Sequence, residues 1–134
     1  MNRPFCLQLR VYYEDTDVGG VVYYANYLKY MERARSEWLR AQGLSNIELA
    51  REQGVLFAVR SVELDYHKPA RLDDWLSVSA EVVRGGAASL VFRQDVRRGD
   101  ELLCGGHIKL ACLDAVAFSP RPLPTRVSGL VPSK

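Results

Sequence analysis

Histidine is the scarcest reactive side chain here: His67 and His107 are the only two in 134 residues. With no His-x-x-x-His pair and no cysteine at ligand spacing, neither a structural nor a catalytic zinc site is expected. Each histidine reads as a structural or surface residue, because no partner for acid–base work lies near it in sequence. Cysteine is almost as sparse. Cys6, Cys104 and Cys112 are odd in number and form no Cys-x-x-Cys pair, which argues against a disulfide framework and for free thiols. Gly-x-Ser-x-Gly, the phosphate loop and Gly-x-Gly-x-x-Gly are all missing. Serine-nucleophile hydrolysis and nucleotide phosphate chemistry therefore have no support.

Long apolar runs are missing too. Nothing approaches the roughly 18 residues of a membrane span, and the first ten residues hold no apolar core of signal-peptide length. These features point to the cytoplasm. Eighteen basic against sixteen acidic residues give a formal charge of +2. That is too weak for a nucleic-acid or anionic-membrane partner, which needs a concentrated basic face. The length fits one domain, expected over residues 1–119. Pro120, Pro122, Pro124 and Pro132 punctuate residues 120–134, which cannot continue a sheet and are expected as an extended, partly disordered tail. At this size one copy buries only about two-thirds of its chain surface, so an enclosed active site favours an oligomer.

Phe5 to Tyr13 alternates Cys6, Gln8 and Arg10 against Phe5, Leu7, Leu9 and Val11, the pattern of a strand. An acidic, glycine-bearing turn follows. From Tyr23 to Gln42 the period lengthens: Tyr27, Tyr30, Met31, Ala34 and Trp38 recur at helical steps, predicting an amphipathic helix of about five turns. Asn26 is placed to cap it and Gly43 to end it. A shorter helix is expected over Ile47 to Gln53, before Gly54. Beyond it come strands: Val55 to His67, Leu76 to Val82, and Ala88 to Arg97 joined to Glu101 to Leu113 by the turn Arg98-Gly99-Asp100. One long helix among antiparallel strands must bury its apolar stripe on a sheet. The fold class is α+β, a curved antiparallel sheet wrapped around one central helix.

Chemistry concentrates in Glu14-Asp-Thr-Asp-Val-Gly-Gly20, just ahead of the long helix. The first N–H groups of a helix lack internal partners and carry positive partial charge, so a carbonyl there is polarised and an oxyanion stabilised. A carboxylate held in front could attack that carbonyl or activate water. On spacing alone a solvated acidic turn is the simpler reading, since Asp and Gly favour turns for conformational reasons. If the first strand persists, alternation sends Asp15 and Asp17 to one side and Glu14 to the other. Glu32 and Glu37 are expected as surface ion pairs with Arg33, Arg35 and Arg40.

The run Asp15-x-Asp17, Gly20-Val-Val-Tyr-Tyr-Ala-Asn-Tyr27 and Met31-Glu-Arg-Ala-Arg35 resembles the hot-dog acyl-CoA thioesterases related to 4-hydroxybenzoyl-CoA thioesterase. Within them it is most similar to the branch associated with the bacterial Tol-Pal system. The likeness continues through Tyr66-His-Lys-Pro-Ala70, Ser89-Leu-Val-Phe-Arg-Gln94 and Pro120-Arg-Pro-Leu-Pro124. The resemblance implies a hot-dog fold, hydrolysis of short-chain or aromatic acyl-CoA, and Asp17 as nucleophile or general base. The backbone N–H of Tyr24 would be the oxyanion donor. It further implies substrate contacts from Gly20, Val22, Tyr23, Asn26, Tyr27 and Ser89. No metal and no cofactor is implied, CoA being part of the substrate. Homodimers with active sites at the subunit interface, assembling to homotetramers, are implied as well; acyl carrier protein is a candidate partner apart from the resemblance.

Two positions depart from the pattern. The Tol-Pal branch usually carries His where this chain has Tyr24, whereas the hydroxybenzoyl-CoA enzymes carry Tyr. Some relatives place Arg and Lys in the turn before the Ser-Leu strand, where this chain has Gly85-Gly-Ala-Ala88. Lys68, Arg84 and Arg121 are then the candidates for CoA phosphates. The alternative from a different class is a non-catalytic acyl-CoA or acyl-carrier-protein binding module linked to envelope maintenance. Dehydration of a hydroxyacyl thioester ranks last, because it calls for an active-site His and both His residues fall outside the Asp17 segment.

Overall fold

A computed structural model describes residues 4–132. Residues 1–3 and 133–134, which the N-terminal and tail readings include, lie outside the described residues. The order is β1 (Phe5–Arg10), a 3-10 turn (Tyr13–Asp15), α1 (Asn26–Ala41), α2 (Asn46–Glu48) running on into a wider helical turn (Leu49–Gln53), β2 (Val55–Tyr66), β3 (Trp75–Gly86), β4 (Ser89–Arg98), β5 (Glu101–Asp114) and α3 (Thr125–Ser128). The strands form one antiparallel sheet in the order β1-β3-β4-β5-β2. No helix among the described residues is long and apolar enough to cross a membrane.

α1 lies across the concave face of the sheet. Its stripe of Tyr27, Tyr30, Met31, Ala34, Trp38 and Leu39 is buried against Leu76, Val78 and Ala80 of β3 and Phe92 and Val96 of β4. Trp38 meets Phe92 edge to face, ring centroids 5.1 Å apart. Each large side chain so buried contributes about 1.5–3 kcal/mol, so this stripe holds helix and sheet together. Bulges interrupt β2 between Val59 and Ser61 and β3 between Val82 and Arg84, and such extra residues bend a sheet.

Gln94 is wholly buried and ties the layers together. Its Nε2 donates to the Met31 carbonyl of α1 and the Ser79 carbonyl of β3, each at 3.0 Å, and its Oε1 accepts from Arg35 at 3.0 Å. Arg35 is thus drawn inward, and Glu32 accepts from Ser36 Oγ instead of pairing with it. Of the expected helix-surface pairs, Glu37 with Arg40 is present at 2.6 Å.

Three expectations need correction. β1 ends at Arg10, three residues early, because the chain turns into the 3-10 segment. α1 starts at Asn26 behind an Ala25 N-cap. Asn26 does not cap it, since its amide is engaged by Asp15. The proline-rich segment is not an extended tail: α3 buries Val127 completely, and Leu123, Leu130 and Val131 pack on the core.

Candidate active site

The 3-10 turn separates the two aspartates that alternation would have put together. Asp15 turns inward and is buried. Its Oδ1 accepts from Asn26 Nδ2 at 2.8 Å and its Oδ2 from the Tyr12 N–H at 2.9 Å. Its carbonyl takes the Tyr23 N–H at 3.0 Å. Asp15 therefore anchors the start of α1 to the turn. The Tyr30 hydroxyl is buried beside this pair without a hydrogen-bond partner among the described residues, and burial raises its pKa well above the ordinary phenol value.

Asp17 lies on the exposed side. A tight reversal holds it: the Gly20 N–H donates to the Asp17 carbonyl at 3.0 Å, and the Asp17 N–H to the Val21 carbonyl at 2.9 Å. Gly20 sits at φ 78°, a left-handed conformation that glycine adopts without strain. The Asp17 Oδ1 accepts the Gly19 N–H at 2.9 Å, while Oδ2 has no partner among the described residues. Val22 is then pinned to the loop before β3 through the Ala70 carbonyl at 2.8 Å. The chain enters α1 through Tyr24 and Ala25, and the Tyr24 N–H meets no backbone acceptor among the described residues.

Beside this helix start is an aromatic recess of about 250 Å³ lined by Val22, Tyr24, Tyr27, Tyr66, His67 and Lys68. Tyr66 donates to the Tyr24 carbonyl at 3.1 Å and meets Tyr27 and Tyr24 edge-on at 5.4 and 6.4 Å. Tyr27 Oη accepts the Ala70 N–H at 3.0 Å. Burial pushes the Tyr27 and Tyr66 phenols upward in pKa, so both keep their protons at neutral pH. Tyr23 stacks outside on Tyr24 at 4.8 Å and is half exposed.

Within one chain the expected site residues fall into two groups. Asp17, Gly20, Val22, Tyr23, Tyr24, Asn26, Tyr27 and Lys68 gather around the helix start. Lys68 is engaged by Glu101 at 2.7 Å. Ser89 and Arg84 lie elsewhere: through β5, Ser89 is aligned with Ala58, near the far end of β2 from Tyr66, and Arg84 with Ser61 at its middle. Arg121 is occupied away from the recess, donating to Asp114 at 2.6 Å and to the Gln53 and Gly54 carbonyls. The Asp114 and backbone contacts give Arg121 a structural role. Tyr66 and His67 enter the recess unannounced by the sequence. Their signal was the turn Lys68-Pro69, which ends β2 beside α1. No cluster of metal-ligating side chains occurs among the described residues.

An antiparallel sheet packed on one long helix defines the class as a hot-dog domain. The chain belongs to the thioesterase superfamily, whose family model matches residues 19–105. The matched range starts just after Asp17. It is similar to the acyl-CoA thioesterase YbgC of Haemophilus influenzae, at 40% identity over 127 residues covering 95% of this chain and 93% of that protein. The acyl-CoA thioester hydrolase YbgC of Escherichia coli is 42% identical over 120 residues, 89% of each chain. A probable thioesterase from Bartonella henselae superposes with a TM-score of 0.87 at 35% identity, covering 91% of this chain and all of that one. With enzymes of this kind as relatives, the non-catalytic module is not favoured.

Proposed function

We propose that this chain hydrolyses acyl-CoA thioesters to the free acid and CoA, with Asp17 as nucleophile or general base and the Tyr24 N–H as oxyanion donor. One observation carries the assignment: an exposed carboxylate with one oxygen unpartnered among the described residues is fixed by a tight turn ahead of α1, and the Tyr24 N–H, two residues before that helix, meets no backbone acceptor among them. As nucleophile, Asp17 adds to the thioester carbonyl, the oxyanion rests on the Tyr24 N–H, and CoA thiolate leaves from a mixed anhydride that water then opens. As base, Asp17 takes a proton from water, hydroxide adds to the same carbonyl, and the departing thiolate recovers a proton. Both routes use one water per thioester. Replacing Asp17 with Asn is expected to lower kcat by at least about 100-fold, measured as thiol release. A D17N protein with near-normal turnover overturns the assignment. In a single turnover in 18O-water, label in the Asp17 peptide identifies the nucleophilic route with water opening the anhydride at the Asp17 carbonyl.

The same reading makes the protein a homodimer joined through β2. Among the described residues β2 has one neighbour, β5, and its other edge is unpaired across twelve residues. Two copies using this same edge with helices on the same side must run antiparallel about a two-fold axis. The bulge at Arg60 suits this. Val55, Phe57 and Val59 face α1 before it, and Val62, Leu64 and Tyr66 after it, judged by their β5 partners. Antiparallel pairing about the bulge sets Val59 opposite the partner's Val62 and Phe57 opposite the partner's Leu64, apolar against apolar. Light scattering at micromolar concentration is expected to give a dimer or a pair of dimers; a stable active monomer refutes the interface. The proposal also includes the cytoplasm as compartment, acyl carrier protein as a candidate partner and, on the sequence resemblance, a role beside the Tol-Pal system.

A further inference from the structure

A second cavity, of about 160 Å³, lies between the C-terminal half of α1 and the sheet, bounded by Trp38, Phe57, Val59 and Phe92 on its apolar side and by Glu32 and Arg35 on its polar side. A cavity of this size in an apolar core accommodates a benzene-sized group. Arg35 is drawn inward by Gln94, and no carboxylate lies within 4 Å of it among the described residues. One hydrogen bond to Gln94 uses only one of five guanidinium N–H donors. Burial without a paired anion lowers its pKa, the nearby Glu32 charge partly opposing this. The cavity thus combines an apolar chamber with a strong donor that the protein leaves largely unused.

Within one chain the β2 wall of this chamber is remote from the Asp17 site. Phe57 lies nine residues along β2 from Tyr66, about 30 Å at strand rise. The two-fold pairing of β2 changes the distance. It sets the partner's Tyr66 opposite Val55, two residues or about 7 Å along the strand from Phe57, and Tyr66 is the residue that holds the Tyr24 carbonyl. Ser89, aligned with Ala58 but two strands away on β4, lies at the same level along the sheet.

With the active site at the subunit interface, as the family resemblance implies, we propose that Arg35 selects an oxygen acceptor at the far end of an acyl group of about six carbons that enters this cavity from the partner subunit's site. This rests on the thioesterase reading and on the β2 dimer. Because Glu32 stands near Arg35, a neutral oxygen such as a hydroxyl fits better than a carboxylate.

Two experiments test it. In the first, kcat/KM is compared for matched pairs, hexanoyl-CoA against its 6-hydroxy analogue and benzoyl-CoA against its 4-hydroxy analogue, in wild type, R35M and R35K. R35M is expected to lose about 10–100-fold on the hydroxylated member and under threefold on its plain partner, with R35K recovering part of the difference. The aliphatic and aromatic pairs show which scaffold the cavity takes. Equal losses within both pairs overturn the role of Arg35, and this result is legible whether or not Asp17 proves to be the catalytic group. In the second, inactive D17N is co-assembled with S36W, which fills the cavity from α1 and leaves the β2 edge unchanged. If the cavity serves the partner, each mixed dimer regains one intact site, and random assortment returns about a quarter of wild-type activity. If mixed dimers form and stay inactive, or if S36W alone is fully active, the shared site is refuted. A fully active D17N would instead refute the Asp17 assignment.

Discussion

Removing the Asp15 carboxylate as D15A is expected to damage the scaffold, whereas D17N spares it. Asp15 accepts two hydrogen bonds, from the buried Asn26 amide and from the Tyr12 N–H. Hydrogen bonds to charged acceptors contribute about 1.5–3 kcal/mol each. Tyr12 is exposed, so water can replace its lost partner, while Asn26 is buried and is left orphaned. A net loss of about 2–4 kcal/mol follows. At about 2.1 cal/mol/K per residue, 134 residues have an unfolding entropy near 0.28 kcal/mol/K. Each kcal/mol then moves Tm by about 3.6 °C, so D15A should melt about 7–14 °C below wild type. Asp17 has a single contact, to the Gly19 N–H, which an Asn oxygen reproduces, and D17N should melt within about 2 °C of wild type. Thermal melts followed by circular dichroism at one protein concentration measure both. A D15A protein melting within about 3 °C of wild type refutes Asp15 as the anchor of the helix start.

Q94L should cost about 2–4 kcal/mol in urea unfolding by stranding the Arg35 guanidinium. Q94E should cost more, because carboxylate oxygens would face the Met31 and Ser79 carbonyls that now accept from Nε2. Equal midpoints for Q94E and wild type would refute the bridging role. Cys104 is buried, which pushes its thiol pKa up to about 12, and burial raises Cys112 as well. With its folded pKa about four units above pH 8, Cys104 is about one part in ten thousand thiolate there. A disulfide-exchange reagent at pH 8 should therefore consume one thiol quickly, that of exposed Cys6, and the other two only on unfolding. Three fast equivalents would refute the burial.

Periodicity carried most of the fold because it reports burial directly. The helical stripe from Tyr27 to Trp38 and the alternation along Leu76 to Val82 are consequences of facing one core. The failures have local causes. Alternation could not separate Asp15 from Asp17, since a three-residue turn rotates one inward without changing the sequence pattern. Proline content suggested a loose tail, yet Leu123, Val127 and Leu130 were spaced to cover a core edge. The Asp17 turn was legible as a motif because its parts are contiguous. The Arg35–Gln94 contact was not, since it joins residues 59 apart, and no local pattern records that.

The bulge at Arg60 also bears on aggregation. An exposed edge that alternates evenly from end to end can pair with its own kind in many offsets, the slack by which strands build open-ended fibrils. In β2 the alternation changes phase midway. Slipping two copies by one residue sets apolar side chains against polar ones, and slipping by two sets Val59 against the bulge itself. In the proposed dimer the irregularity works as an alignment mark, favouring one offset over its neighbours.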